Sequence, residues 1–265
     1  MPKKQYTSDL TNREYNAICS FLPETKTCPL TYAYHEILNG IFYVAKNGCT
    51  WRDIPSDLPP WRTCFYHFRK LTKLGIWEKI KLTLNQKVRI AKEARENNPS
   101  CLILDSQSVK NTDTGCESGI DGNKKVKGIK KHLACDTLGL NWSRKISSAN
   151  IGDREGGLIL AENIGNNRDE VFSRCEVVKV DEGYSGEDFA VEFYEKSNQV
   201  CIEVVEKLEG QKGFQVLPMR WVVERSNAWM DKCRRMWKNC ERTVESAEAF
   251  IDICFQRIAL HKLRY

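Results

Sequence analysis

Through the first hundred residues apolar positions return every three or four places, the period of a helix with one buried face. Thr11 and Glu14 make a capping-box pattern, and Tyr15, Ile18, Cys19 and Leu22 follow at helical spacing as far as Pro23. A second helix is expected over 32–46, with Ile37, Leu38, Ile41, Phe42 and Ala45 on one face and Asn47-Gly48 as its stop. The stretch TWRDIPSDLPPW holds too much proline to be helical. A third helix is expected at 61–74, with Phe65, Phe68 and Leu71 inward, and a fourth from Ile76 to about Glu96.

Beyond Pro99 the pattern changes. CLILD (101–105) is a short apolar run ending in Asp, and 131–139 and 140–150 predict two strands around Gly139. Residues 154–165 predict a helix, 175–180 a strand running into a glycine turn, 187–198 a helix and 200–208 a strand. Helices around Glu224 and over 243–262 close the chain. Strands first, then alternating helices and strands, indicate an α/β layer fold behind a small all-helical domain, with the boundary between 1–98 and 99–265. The short helices and tight turns of the first part fit a helix-turn-helix module or a plain bundle.

Charge sharpens this division. The net charge is +6 overall, and it is distributed as +7 over 1–98, −5 over 99–219 and +4 over 220–265. An acidic middle between basic ends suits a cation-collecting site flanked by surfaces for a polyanion. The third helix carries Arg62, His67, Arg69, Lys70 and Lys73 and is the candidate to enter a DNA groove. Lys124, Lys125, Lys127, Lys130 and Lys131 form a second basic group in and after a glycine-containing loop, read as phosphate contacts or as solvated charge. The 12 cysteines are scattered, with no C-x-x-C, and the 4 histidines are isolated, so reduced thiols and no zinc are expected. No apolar run reaches membrane-spanning length and no signal-peptide pattern opens the chain, so a cytoplasmic protein is expected.

Three carboxylates attract chemistry. Asp105 ends one predicted strand, Asp181 ends another, and Glu224 lies in RWVVERSNAWM among bulky apolar residues and arginines. On parallel neighbouring strands the two aspartates would emerge at one sheet edge, where open α/β sheets bind ligands. Converging carboxylates repel unless divalent cations neutralise them. Asp136 reads as a hairpin-turn residue and Asp153 as a helix cap, both rivals of Asp181 for the middle carboxylate, and Trp221 and Trp229 read as core ahead of stacking on a base. Glu224 reads equally as a helix salt-bridge partner of Arg220.

The chain resembles a DDE-type insertion-sequence transposase, close to the insertion-sequence-five group. The resemblance rests on ILNGIFYVAKNGCTWRDIPSDLPPWRTCFYHFRKLTKLGIWE, LDSQSVK, GIKKHLACDTLGL, DEGYSG and RWVVERSNAWMDKCRRMWKNCERT, in that order. It implies a ribonuclease-H-like mixed sheet flanked by helices, with Asp105, Asp181 and Glu224 as catalytic, metal-binding carboxylates. It departs from the wider pattern at Leu217 and Asp231, where relatives carry Tyr and Lys, and at Gly152, where relatives often carry His. Lys232, Arg234 and Arg235 are the alternatives for that positive charge, and Arg220, Arg234 and Arg235 join the expected DNA contacts.

What the resemblance implies is a Mg²⁺-dependent enzyme, with Mn²⁺ as a substitute and no organic cofactor. Two ions about 4 Å apart would clamp an in-line phosphoryl transfer. Water frees a 3′-hydroxyl at the element end, and that hydroxyl joins target DNA. The implied partners are double-stranded DNA with terminal inverted repeats, target DNA and a second copy of the chain pairing two ends in the nucleoid. The alternatives are a nuclease of the same fold without strand transfer, a DNA-binding regulator and an inactive copy.

Overall fold

The computed structural model describes residues 6–24, 31–93, 95–205 and 218–263. The N-terminal part is helical. Thr11 caps the short α1 (Asn12–Asn16) through the reciprocal bonds with Glu14 expected of its sequence. The helix does not run on to Leu22 as the spacing suggested. It gives way to a single 3-10 turn at Cys19–Phe21, while Ile18 still buries itself in the core. Then come α2 (Tyr34–Asn47), closed by Gly48 at φ 72°, α3 (Trp61–Lys73) and α4 (Ile76–Glu93).

The second part is built on one mixed sheet. Its strands are β1 (Cys101–Lys110), β2 (Gly119–Asp121), β3 (Val126–Cys135), β4 (Asn141–Ser148), β5 (Val177–Val180) and β6 (Cys201–Val204). The main order is β4-β3-β1-β5-β6, with β2 added at the start of β3. β4, β3 and β1 are antiparallel, while β5 and β6 run parallel to β1. The helices α5 (Asp153–Asn166), α6 (Glu187–Lys196), α7 (Pro218–Met230) and α8 (Val244–Lys262) flank it, giving the mixed, helix-flanked sheet of a ribonuclease-H-like fold.

β1 is longer than its apolar run. Asp105 stands mid-strand rather than at the end, because the polar residues 106–110 continue to pair with β3 as far as Lys110 opposite Gly128. Backbone pairing, not side-chain apolarity, extends the strand there.

The helical part and the sheet share one continuous hydrophobic core. α8 makes the connection. Phe250 stacks on Phe68 of α3 with ring centroids 4.7 Å apart, and Gln256 donates to the Trp77 carbonyl of α4 at 2.6 Å. It also meets β4, where Glu248 accepts from the Ile146 amide at 3.2 Å. The described cysteines are free thiols, with Cys64, Cys135, Cys175, Cys233 and Cys254 buried.

Candidate active site

Asp105 and Asp181 are placed by strand register. β1 and β5 pair in parallel with Cys101 opposite Val177, Leu102 opposite Val178 and Ile103 opposite Lys179. Continued two residues, that register sets Asp105 level with Asp181 on the neighbouring strand, where the spacing is about 4.8 Å. Register partners and alternate residues share a face, so both aspartates project to the side occupied by Ile103. Asp105 Oδ1 accepts from the Ser106 amide at 2.8 Å. Asp181 leaves β5 and accepts from the Gly183 amide at 3.0 Å, capping the turn Glu182–Tyr184.

The same face is covered by α7. Val222 and Val223 pack on Ile103, and Ser226 Oγ donates to the Gly139 carbonyl at 3.1 Å. Gly139 turns the β3–β4 hairpin at φ 76°, and a Cβ there would stand 2.7 Å from Ser226 Oγ, so both conformation and packing demand glycine. Glu224 follows Val223 directly and is exposed. The helix that bears it therefore lies on the face of Asp105 and Asp181. Among the described residues no three His, Cys, Asp or Glu side chains are grouped tightly enough to hold a metal ion.

Three further residues enter the site. Asp153 Oδ1 accepts from Ser106 Oγ at 2.7 Å and from Lys130 Nζ at 2.8 Å. Partial burial raises its pKa, but those bonds outweigh it and hold the carboxyl below its ordinary range. Asp153 is not the cap expected of it, since Gly152 holds that position and the carboxylate reaches across to the sheet instead. Tyr184 is buried, and its phenol is pushed well above its ordinary pKa, first by burial and then by the charges of Asp153, Asp105 and Asp181. The sequence signal for Asp153 was weak, an Asp opening a helix. For Tyr184 it was only an aromatic three residues beyond a turn aspartate. The donors on this face are all hard oxygens, the kind a small divalent cation takes, so their chemistry suits such an ion although the carboxylates do not stand as one tight cluster.

Asp136 remains in the turn. It is fully buried, accepts from the Leu138 and Leu140 amides, and pairs with Arg89 at 2.8 Å.

The basic residues divide. Arg62, Arg69 and Lys73 on α3 are exposed and Lys70 half-buried, beside an open groove of about 1010 Å³ that runs to the start of α8. His67 turns inward instead, and burial lowers its pKa. Lys124 and Lys125 are exposed on the β2–β3 turn, and Lys127 is exposed at the start of β3. Lys130 and Lys131 are not surface charges free to meet DNA, because the strand carries them into the protein. Lys130 binds Asp153 and the Ile151 carbonyl, while Lys131, 2% exposed, donates to the Met236 carbonyl. Burial lowers the Lys131 pKa to about 8. Arg235 is likewise buried against Glu241 at 2.6 Å, whereas Arg234 is exposed. The Arg220 side chain and Leu217 lie outside the described residues. Trp221 is not core. It is 46% exposed, and the Arg225 guanidinium lies 4.4 Å from its ring and 4.7 Å from that of the half-buried Trp229.

Residues 10–81 match the family described as putative transposase of the IS4/5 family, and residues 96–255 match the transposase DDE domain. A putative transposase for insertion sequence element IS402 from Burkholderia cepacia is 28% identical over 140 residues, which are 52% of this chain and 65% of that protein. The match thus spans less than two thirds of the relative. No solved structure matches. Among the described residues no helix is long and apolar enough to cross a membrane.

Proposed function

This chain belongs to the transposase DDE-domain family, and from that membership we propose that it cuts DNA at the terminal inverted repeats of an insertion sequence and joins the freed ends to target DNA. What supports the reading is the parallel register of β1 and β5, which carried on two residues brings Asp105 level with Asp181, the residue just past β5, on the face packed by the helix that bears Glu224.

In this reading Asp105, Asp181 and Glu224 hold Mg²⁺, with Mn²⁺ as a substitute. Divalent ions bound there supply charge to activate the attacking oxygen and stabilise the leaving one. The protein contributes placement. The β1–β5 ladder fixes the two aspartates, and the Ser106 and Gly183 amides orient their carboxylates. Residues 1–98 read the repeat, with Arg62, Arg69, Lys70 and Lys73 near the DNA, while 99–265 carry the chemistry. Lys124, Lys125, Lys127 and Arg234, all exposed, are in this reading the phosphate contacts. Arg220 is retained as a further contact on sequence grounds. Two copies pair two element ends at the nucleoid.

The test is incubation of the protein with a DNA fragment bearing the element's terminal repeats and a target plasmid, with and without Mg²⁺. Metal-dependent cleavage leaving a 3′-hydroxyl, followed by joined products, is expected. Cleavage without joining makes the protein a nuclease of the same fold, and binding without cleavage makes it a regulator or an inactive copy.

A further inference from the structure

Asp153 opens α5 but spends its side chain on the sheet. Oδ1 takes both the Ser106 hydroxyl and the Lys130 ammonium. Oδ2 accepts no hydrogen bond from the described residues and lies 3.9 Å from the point where a Cβ on Gly183 would stand. Asp181 Oδ1 lies 3.1 Å from that same point. The two carboxylates therefore face a residue that has no side chain to fill the space between them. Beside them Tyr184 is 1% exposed, and its hydroxyl makes no hydrogen bond of normal geometry among the described residues, although the Ser106 side chain is near enough to act on it as a hydrogen-bonding neighbour. Buried hydroxyls are rarely left so, and the charges acting on this one are Asp153, Asp105 and Asp181.

Resting on the reading of Asp105 and Asp181 as cation ligands, we propose that Asp153 and Tyr184 are positioning residues of the same site, with Asp153 Oδ2 and the Tyr184 hydroxyl holding the water of a hydrated divalent cation. A small cation such as Mg²⁺ keeps several waters, and their hydrogens need acceptors. Asp153 Oδ2 is such an acceptor, and a phenol can both accept and donate. Lys130 ties down Oδ1 and so leaves Oδ2 turned toward Gly183, while its positive charge opposes the cation.

Titration of the full-length protein with Mn²⁺, reading free ion by electron paramagnetic resonance, measures the site without turnover. Asp153→Asn should weaken Mn²⁺ binding by about 10- to 100-fold, the usual effect of losing an outer-shell partner. Tyr184→Phe should weaken it several-fold and melt close to the parent without metal, because at most the one hydroxyl contact to Ser106 is lost. Lys130→Met separates this role from a plain ion pair. If Asp153 only partners Lys130, the two variants lose the same contact and bind Mn²⁺ alike. If Asp153 serves the cation, Asp153→Asn binds more weakly while Lys130→Met binds as well as the parent or better. Parent-like Mn²⁺ binding by both Asp153→Asn and Tyr184→Phe, with Asp105→Asn losing it, overturns this inference and leaves the cation site standing. A parent protein that binds no Mn²⁺ overturns both. Should Asp153→Asn fail to fold, Tyr184→Phe decides alone.

Discussion

Arg144 on β4 and Asp252 on α8 form a buried two-pronged pair, Nη2 to Oδ2 at 2.7 Å and Nε to Oδ1 at 3.1 Å. Asp252 also takes Lys81 of α4 at 3.0 Å, so one carboxylate joins the sheet, the C-terminal helix and the N-terminal helices. Removing a partner from a buried pair strands the opposite charge, which costs about 3–5 kcal/mol. Asp252→Asn should therefore lower the urea midpoint sharply with an unchanged slope. A loss of stability of only about a few tenths of a kcal/mol would mean that water reaches this pair.

The same contacts bear on residues 1–98 alone. Without α8 that segment lacks Phe250 against Phe68 and Gln256 against Trp77, and Lys81 loses Asp252. A fragment ending at residue 98 should show little cooperative melting by circular dichroism and weak DNA binding. Supplying residues 243–263 in trans should restore part of both. A sharp transition in the isolated fragment would show that its own core suffices.

Acid should destabilise the protein through His132. Burial first, and then Lys130 and Lys124, lower its pKa from 6.5 to about 4. Between those values the unfolded chain binds a proton that the native state refuses, so stability is intact above pH 6.5 and falls as pH drops toward 4. The loss reaches about 3 kcal/mol, since each pH unit per proton is worth about 1.4 kcal/mol. His132→Gln should flatten the stability profile across that window relative to the parent. The replacement must stay slim, because the His132 ring lies 1.9 Å from where a Cβ on Gly156 would sit.

Among the carboxylates, Asp105→Asn, Asp181→Asn and Glu224→Gln should each cut cleavage by several powers of ten, at about 1.4 kcal/mol per power, while repeat binding persists. Asp136→Asn should act the other way. It weakens the pair with Arg89 and lowers thermal stability, yet its folded fraction cleaves normally. Gel assays of cleavage beside melting curves separate the two classes. An inactive but well-folded Asp136→Asn protein beside an active Asp181→Asn protein would exchange their roles.

Exposure should sort the basic residues. Each of Arg69→Ala and Lys73→Ala should weaken repeat binding and reduce the slope of log K against log salt by about one if it removes a phosphate contact. Lys131→Met should leave the slope alone and alter stability, because Lys131 donates to a buried carbonyl. A flattened slope for Lys131→Met would show that this strand opens when DNA binds.

Much of the fold was legible because its signals are local. Gly48 ends α2, the 3.6-residue period marks α3 and α4, and turn chemistry around Asp136 and Gly139 marks the β3–β4 hairpin. These depend on neighbours within a few residues, as the capping of α1 by Thr11 does. The sequence also carried the family resemblance and, through it, the choice of Asp105, Asp181 and Glu224.

The remainder required partners distant in the chain. Residues 106–110 are strand only because β3 pairs with them, and Asp105 comes level with Asp181 only by extending the β1–β5 register, between residues 76 positions apart. Lys130 and Lys131 look like surface charge in the sequence. Alternation along β3 sends one toward Asp153 and the other to the Met236 carbonyl, and nothing local reveals that α5 and the turn before α8 cover the two faces. Trp221 shows the converse, an aromatic that composition assigns to the core and helix orientation leaves half in water. Periodicity determines which residues share a face, but what covers that face is decided by packing between segments far apart in the chain.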